Sequence, residues 1–203
     1  MNAKKLKGEK PPKSERKAAK VKGKVKSATK AARTMLGRVI MGRHANGMRR
    51  VAITGMGTVN ALGRDVPATF EAMREGRCGI GPLDFRDVDR LAIKIGGQVR
   101  DWEPETYFNR QQIVLYDKFT QFTLLAAREA VEQSGLIFEG ELGLRSGVVL
   151  GTAAGGMNTW DENYRTVYEE GKNRVHPFVV PKLMNNAACS HLSMEYGLQG
   201  PSF

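Results

Sequence analysis

An α/β fold is what this 203-residue sequence predicts, and three observations carry the expectation. Two short apolar runs, Val51-Ala52-Ile53-Thr54 and the end of Arg145–Leu150, each enter a glycine-rich loop, as buried strands do. Between and after them lie stretches with helical periodicity, the clearest over residues 117–134. No apolar run reaches the roughly 18 residues a membrane span needs, and the N-terminus has no signal-peptide core.

Charge divides the chain before any element does. The net charge is +11, yet residues 1–50 hold 17 of the 32 Lys and Arg and only two acids, Glu9 and Glu15. Residues 51–203 carry 15 basic and 19 acidic side chains, a net of −4. Residues 1–32 are almost all Lys, Ala, Gly, Pro and Ser, too poor in apolar surface to offset their ordering entropy, and the basic tail 1–48 is expected to be disordered. A polybasic arm can hold nucleic acid through phosphates, but no aromatic is present for base stacking, so nucleic acid is not the expected partner. Anionic lipid is a weaker reading still. Arg33, Arg38 and Arg43, with no acid across 28–45, faintly resemble an organelle transit peptide, although Lys dominates the rest. Two cysteines, Cys78 and Cys189, form no metal-ligand or disulfide pattern, which suits a reducing cytoplasm.

From Val51 the chain reads in order. The first strand closes on Gly55, Gly57 and Gly63, which invites a dinucleotide fingerprint. That fingerprint fails, because Asn60 stands where the third glycine belongs and no helix opens before Pro67. The helix from Pro67 carries Phe70 and Met73 on one face and ends near Gly76. Residues 91–101 alternate weakly, an edge strand or hairpin. Over 117–134, Phe119, Phe122, Thr123, Ala126, Ala127, Ala130 and Val131 form one stripe, capped by Asp117 and Gly135. The loop Gly151–Gly156 lacks a Gly-Lys-Ser/Thr ending, which excludes a nucleotide P-loop. Trp160, Tyr164, Val167 and Tyr168 fall at helical spacing up to Gly171, an amphipathic helix with aromatic anchors.

Residues 178–181 read as a loop, with Pro181 suited to the first turn of the next helix. Leu183, Met184, Ala187, Ala188, His191 and Leu192 then predict one helix ended by Gly197, and Gly200-Pro201 turns the chain. Cys189 falls mid-helix on the apolar side. A nucleophilic thiolate needs an electropositive setting or a neighbouring base, so Cys189 reads as packing. His191 reads as a helix histidine satisfied by its surroundings. No two histidines are arranged for catalysis, and no group of side chains has metal-ligand spacing.

Five segments resemble one family in order. Arg-Arg-Val-Ala-Ile-Thr-Gly-Met-Gly-Thr-Val-Asn-Ala-Leu-Gly (49–63) is similar to the first strand and loop of β-ketoacyl-acyl-carrier-protein synthases, condensing enzymes of the thiolase superfamily. Gly76-Arg77-Cys78-Gly79-Ile80 resembles their Gly-x-Ser-Gly-Ile turn, with Cys78 in place of Ser. Tyr116–Phe122, the loop 151–156, and 177–203 ending in Gly-Pro-Ser-Phe continue the likeness. The resemblance implies a thiolase-like αβαβα layered fold, of which residues 49–203 are the N-terminal half. Members usually begin near Met48, so the expectation is that translation starts at Met48 and residues 1–47 lie upstream of it. It further implies decarboxylative Claisen condensation with malonyl-acyl carrier protein in fatty acid or polyketide synthesis, acyl carrier protein as partner, a homodimer and no cofactor. The family's cysteine nucleophile and two histidines are expected beyond Phe203, so no catalytic residue is assigned. Ala154, Val179, Val180 and Met184 fall where the family lines its acyl pocket, and the small Ala154 and Val179 imply a roomy one. The alternative is a non-catalytic half-synthase binding acyl carrier protein or nucleic acid through its basic tail.

Overall fold

Burial of one long helix on several sides explains most of this architecture. A computed structural model of the chain describes residues 51–203, so the tail and the start at Met48 lie outside the described residues. In chain order the helices are α1 (Val66–Arg74), α2 (Arg110–Leu115), α3 (Lys118–Ser134), α4 (Glu141–Arg145), α5 (Met157–Tyr164), α6 (Val179–Leu183) and α7 (Ala187–Tyr196). Two strands, β1 (Ile80–Pro82) and β2 (Ile95–Gly97), pair antiparallel with Gly81 opposite Gly96. Short 3₁₀ turns occur at Val88–Arg90 and Pro104–Thr106, and a π turn, Arg165–Glu169, prolongs α5.

Helix α3 forms where the pattern places it. Asp117 accepts from the Phe119 N–H at 3.3 Å, and Gly135 closes the other end in the left-handed region at φ 63°. The predicted stripe is only half-buried, whereas Thr120, Gln121 and Leu124 on the flanking face are fully buried. Leu124 meets Phe108 and Leu192 in the core, ringed by Trp102, Ile113, Tyr116 and Val148. The alanines of the stripe serve another end. A Cβ on Gly55 or Gly57 would run into the carbonyl oxygens of Ala130 and Ala126. These glycines bring a loop against a helix backbone, which accounts for the Gly-x-Gly spacing without any nucleotide. Side chains of α3 complete that seam, with Glu129 accepting from Thr58 N–H at 3.0 Å and Val66 N–H at 2.7 Å.

Several expectations are corrected. Residues 51–54 join no ladder among the described residues, and Val51 and Ile53 are 93% and 85% exposed. A strand is stabilised by its neighbours' backbone, and none pairs with it among the described residues. Segment 146–150 does pair, through a parallel bridge between Val148 and Ser202. In α1, Phe70 and Met73 are both exposed, so the face they were expected to share is the outward one, and Ala72 is buried. Caps anchor that helix at Asp65 and Glu129, so a small residue suffices on its inner face. Val179 and Val180, expected in a loop at 178–181 before a helix opening at Pro181, are already helical, and Pro181 sits in the first turn where no intrahelical N–H is required. The single helix expected onward breaks at 184–186, because Met184 turns extended and the linker packs on the loop at Gly155 and Gly156. Cys189 therefore lies in the first turn of α7, not mid-helix.

Candidate functional site

The site grows from one buried carboxylate. Asp117 is 2% exposed and ties two helices. Besides capping α3, its Oδ2 accepts from Thr159 N–H at 2.8 Å and Thr159 O–H at 2.6 Å, satisfying the open N-terminal turn of α5. The Asn158 amide adds a longer contact at 3.4 Å. Gly156 donates its N–H to Leu183 O at 3.0 Å, and a Cβ there would meet the Leu183 backbone. The glycine loop, α5 and the end of α6 are thereby drawn together.

Between α5 with its π turn and α6 lies an apolar groove of about 190 Å³. Trp160, Tyr164 and Tyr168 run along one wall as a stack, with centroids 5.4 and 5.7 Å apart and rings nearly parallel. Val167, Val175, Val179 and Leu183 complete it. The periodicity predicted this aromatic row. Widening to a π turn at 165–169, closed by Glu170 N–H to Arg165 O at 3.0 Å, was not legible from it. Beside the groove a second cavity of about 390 Å³ is more polar, with Arg174, His176 and Lys182 on its rim.

Of the four residues marked from the sequence, the structure places Val179 in both cavities. Val180 and Met184 are exposed at α6 and do not line the groove, and Ala154 is exposed in the glycine loop. Hydrogen bonding of that loop to α6 brings the Ala154 and Met184 segments close without placing either side chain in the groove. Sequence reasoning missed Thr159, whose partner lies 42 residues away. It missed Trp160 and Tyr164 as groove walls, having read them only as aromatic anchors of an amphipathic helix.

Cys189 is 1% exposed, and its thiol donates to Asn186 O at 3.0 Å. His191 is half-buried against the Tyr116 ring, centroids 4.5 Å apart, and burial lowers its pKa from the usual 6.5. Neither lines the groove. Among the described residues no cluster of His, Cys, Asp or Glu could hold a metal ion, and no helix is long and apolar enough to cross a membrane.

Residues 48–203 match the family described as "Beta-ketoacyl synthase, N-terminal domain". Nodulation protein E of Rhizobium sp. (strain N33) is 38% identical over 155 residues, covering 76% of this chain and 38% of that protein. The 3-oxoacyl-[acyl-carrier-protein] synthase 2 of Staphylococcus aureus (strain N315) is 32% identical over 154 residues, 76% of this chain and 37% of that enzyme. Among solved structures, the ishigamide ketosynthase/chain length factor matches with a TM-score of 0.65 at 22% identity, over 76% of this chain and 39% of that one. A type II PKS acyl-carrier protein in complex with its ketosynthase bound to the hexaketide matches at TM-score 0.61 and 22% identity, over 77% and 41%. The chain thus spans less than half the length of the relatives it matches.

Proposed function

The chain belongs to the β-ketoacyl synthase N-terminal domain family, with the thiolase-like fold of ketosynthases covered in its N-terminal part, and on that premise we propose that it is the acyl-binding part of a 3-oxoacyl-acyl-carrier-protein synthase. The reaction is decarboxylative Claisen condensation between an acyl thioester and malonyl-acyl carrier protein, in fatty acid or polyketide synthesis. One observation carries the reading: the apolar groove walled by the Trp160–Tyr164–Tyr168 stack and Val179. Each methylene an acyl chain buries there contributes about 0.8 kcal/mol. Ala154, Val180 and Met184 extend the acyl path along the neighbouring loop and helix end.

This reading assigns no condensing nucleophile to residues 51–203. A thiolate nucleophile needs access and a base within hydrogen-bond reach, and Cys189 is sealed against the Asn186 carbonyl. The condensing cysteine and its histidines belong to the remainder of such an enzyme, where donors around the thioester oxygen stabilise the oxyanion. The assembly is a homodimer, works with acyl carrier protein in the cytoplasm and uses no cofactor.

The test is titration of the purified chain with a fluorescent fatty acid, competed by long-chain acyl-carrier protein. Wild type is expected to bind, and Val179→Phe, which narrows the groove, to weaken long chains roughly ten-fold while sparing short ones. No saturable binding overturns the acyl reading, and turnover of malonyl-acyl carrier protein by residues 1–203 overturns the absence of a nucleophile. Salt-sensitive capture of acyl carrier protein that vanishes on deletion of 1–47 favours the non-catalytic binding role instead.

A further inference from the structure

The β1–β2 ribbon and its flanking segments enclose a polar cavity of about 280 Å³ that shares no lining residue with the acyl groove. Arg64, Arg100, Gln98 and Cys78 converge on it. Both guanidinium groups are held in place by neutral partners. Arg64 donates to the carbonyls of Asn60 and Arg100 and lies 6.0 Å from the Trp102 ring centroid. Arg100 donates to Pro82 O and crosses Gly81, where any Cβ would meet its Nη2 at 2.8 Å. Among the described residues neither arginine enters an ion pair. Asp101 borders the cavity without pairing to either. Two cations against one carboxylate leave the cavity positive, and a concave wall of one sign concentrates ligands of the other.

The thiol in this cavity is open. Cys78 is exposed, and its Sγ has only a weak contact with Ile80 O at 3.8 Å. From this juxtaposition of two unneutralised guanidinium groups and an accessible thiol, we propose that the cavity receives anionic low-molecular-weight disulfides and that Cys78 exchanges with them. The Cys78 proton leaves to solvent, and the thiolate attacks one sulfur of the bound disulfide. That disulfide's S–S bond breaks, a mixed disulfide with Cys78 forms, and the departing thiolate takes up a proton. The exchange is redox-neutral overall. The arginines hold the anionic arm of the disulfide and raise the local concentration at the sulfur.

The full chain is incubated at low salt with glutathione disulfide, which is anionic, or with cystamine, which is cationic, and followed by intact mass and peptide mapping. Each rate is normalised to that of the same disulfide with a small reference thiol. The expected result is one adduct, at Cys78, forming about ten-fold faster from glutathione disulfide. The preference falls as salt rises and is lost in Arg100→Gln, an exposed substitution that leaves the Arg64–Trp102 contact in place. Cys78→Ser abolishes the adduct, with buried Cys189 unmodified. Equal normalised rates in wild type, a faster reaction with cystamine, or an adduct on Cys189 overturns the proposal, and the wild-type comparison needs no variant to fold.

Discussion

Asp117 is one side chain that caps two helices. Its carboxylate serves the Phe119 N–H of α3 and both polar groups of Thr159 in α5, the latter two out of water. Asp117→Ala strips a cap and strands the buried Thr159 hydroxyl, for an expected loss of roughly 2–4 kcal/mol. Urea unfolding followed by circular dichroism measures it, and a loss under about 1 kcal/mol would show that the α5 contact contributes little. Only half of this arrangement was legible beforehand. An Asp before an apolar stripe announces a cap, whereas its contact with Thr159 depends on tertiary folding. His191 obeys the same logic. Burial against Tyr116 favours the neutral imidazole, so its folded pKa lies below 6.5. The unfolded chain then binds the proton more readily, and stability declines as pH falls below 6.5 towards the folded value. Wild type is expected to lose more stability than His191→Gln between about pH 7.5 and pH 5.5. Parallel urea curves for the two proteins check it, and identical slopes would remove His191 as the cause.

At the scale of elements, α3 and α7 form the central packed pair, and a two-pronged ion pair fastens them. Arg128 Nε and Nη2 reach Glu195 at 2.7 and 2.9 Å, and the guanidinium also lies over Phe108, 5.0 Å from its centroid. The hydrogen bonds to Glu195 raise the Arg128 pKa, so the cation persists at any working pH. Both side chains are about 30% exposed, at 30% and 27%, which tempers the gain. A double-mutant cycle of Arg128→Ala and Glu195→Ala is expected to give a coupling of about 1 kcal/mol, diminished by salt. Zero coupling would leave Arg128 as packing over Phe108 alone. Periodicity located both helices and their glycine stops at Gly135 and Gly197. It did not reveal the break at 184–186, because that linker answers to Gly155 and Gly156, some thirty residues earlier. Nor did it show which face of α3 is most buried, since the alanine stripe is taken by the glycine loop and Leu124 by the core.

For the whole molecule, the α/β class was legible from two apolar runs, but within residues 51–203 only the second of them, 146–150, pairs, and the sheet is no more than begun. Parallel pairing stands at one bridge, where Val148 N–H meets Pro201 O at 2.9 Å, Phe203 N–H meets Val148 O at 3.0 Å and Leu150 N–H meets Phe203 O at 2.9 Å. Parallel strands are ordinarily covered on both faces, yet Val149 is 77% and Phe203 66% exposed. The ketosynthase matched at TM-score 0.61 is covered over only 41% of its length. On its own, the chain is therefore expected to bind an apolar dye strongly and to self-associate with rising concentration in sedimentation velocity. Amide exchange should show the same division, with Val148, Leu150 and Phe203 exchanging far faster than the interior of α3, where Leu124 is sealed. A monomer at all concentrations, with no dye response and uniformly slow exchange at the bridge, would mean that this edge is stable uncovered. The parallel bridge would then be a finished element, and the apolar groove would have to act on a half-fold sufficient in itself.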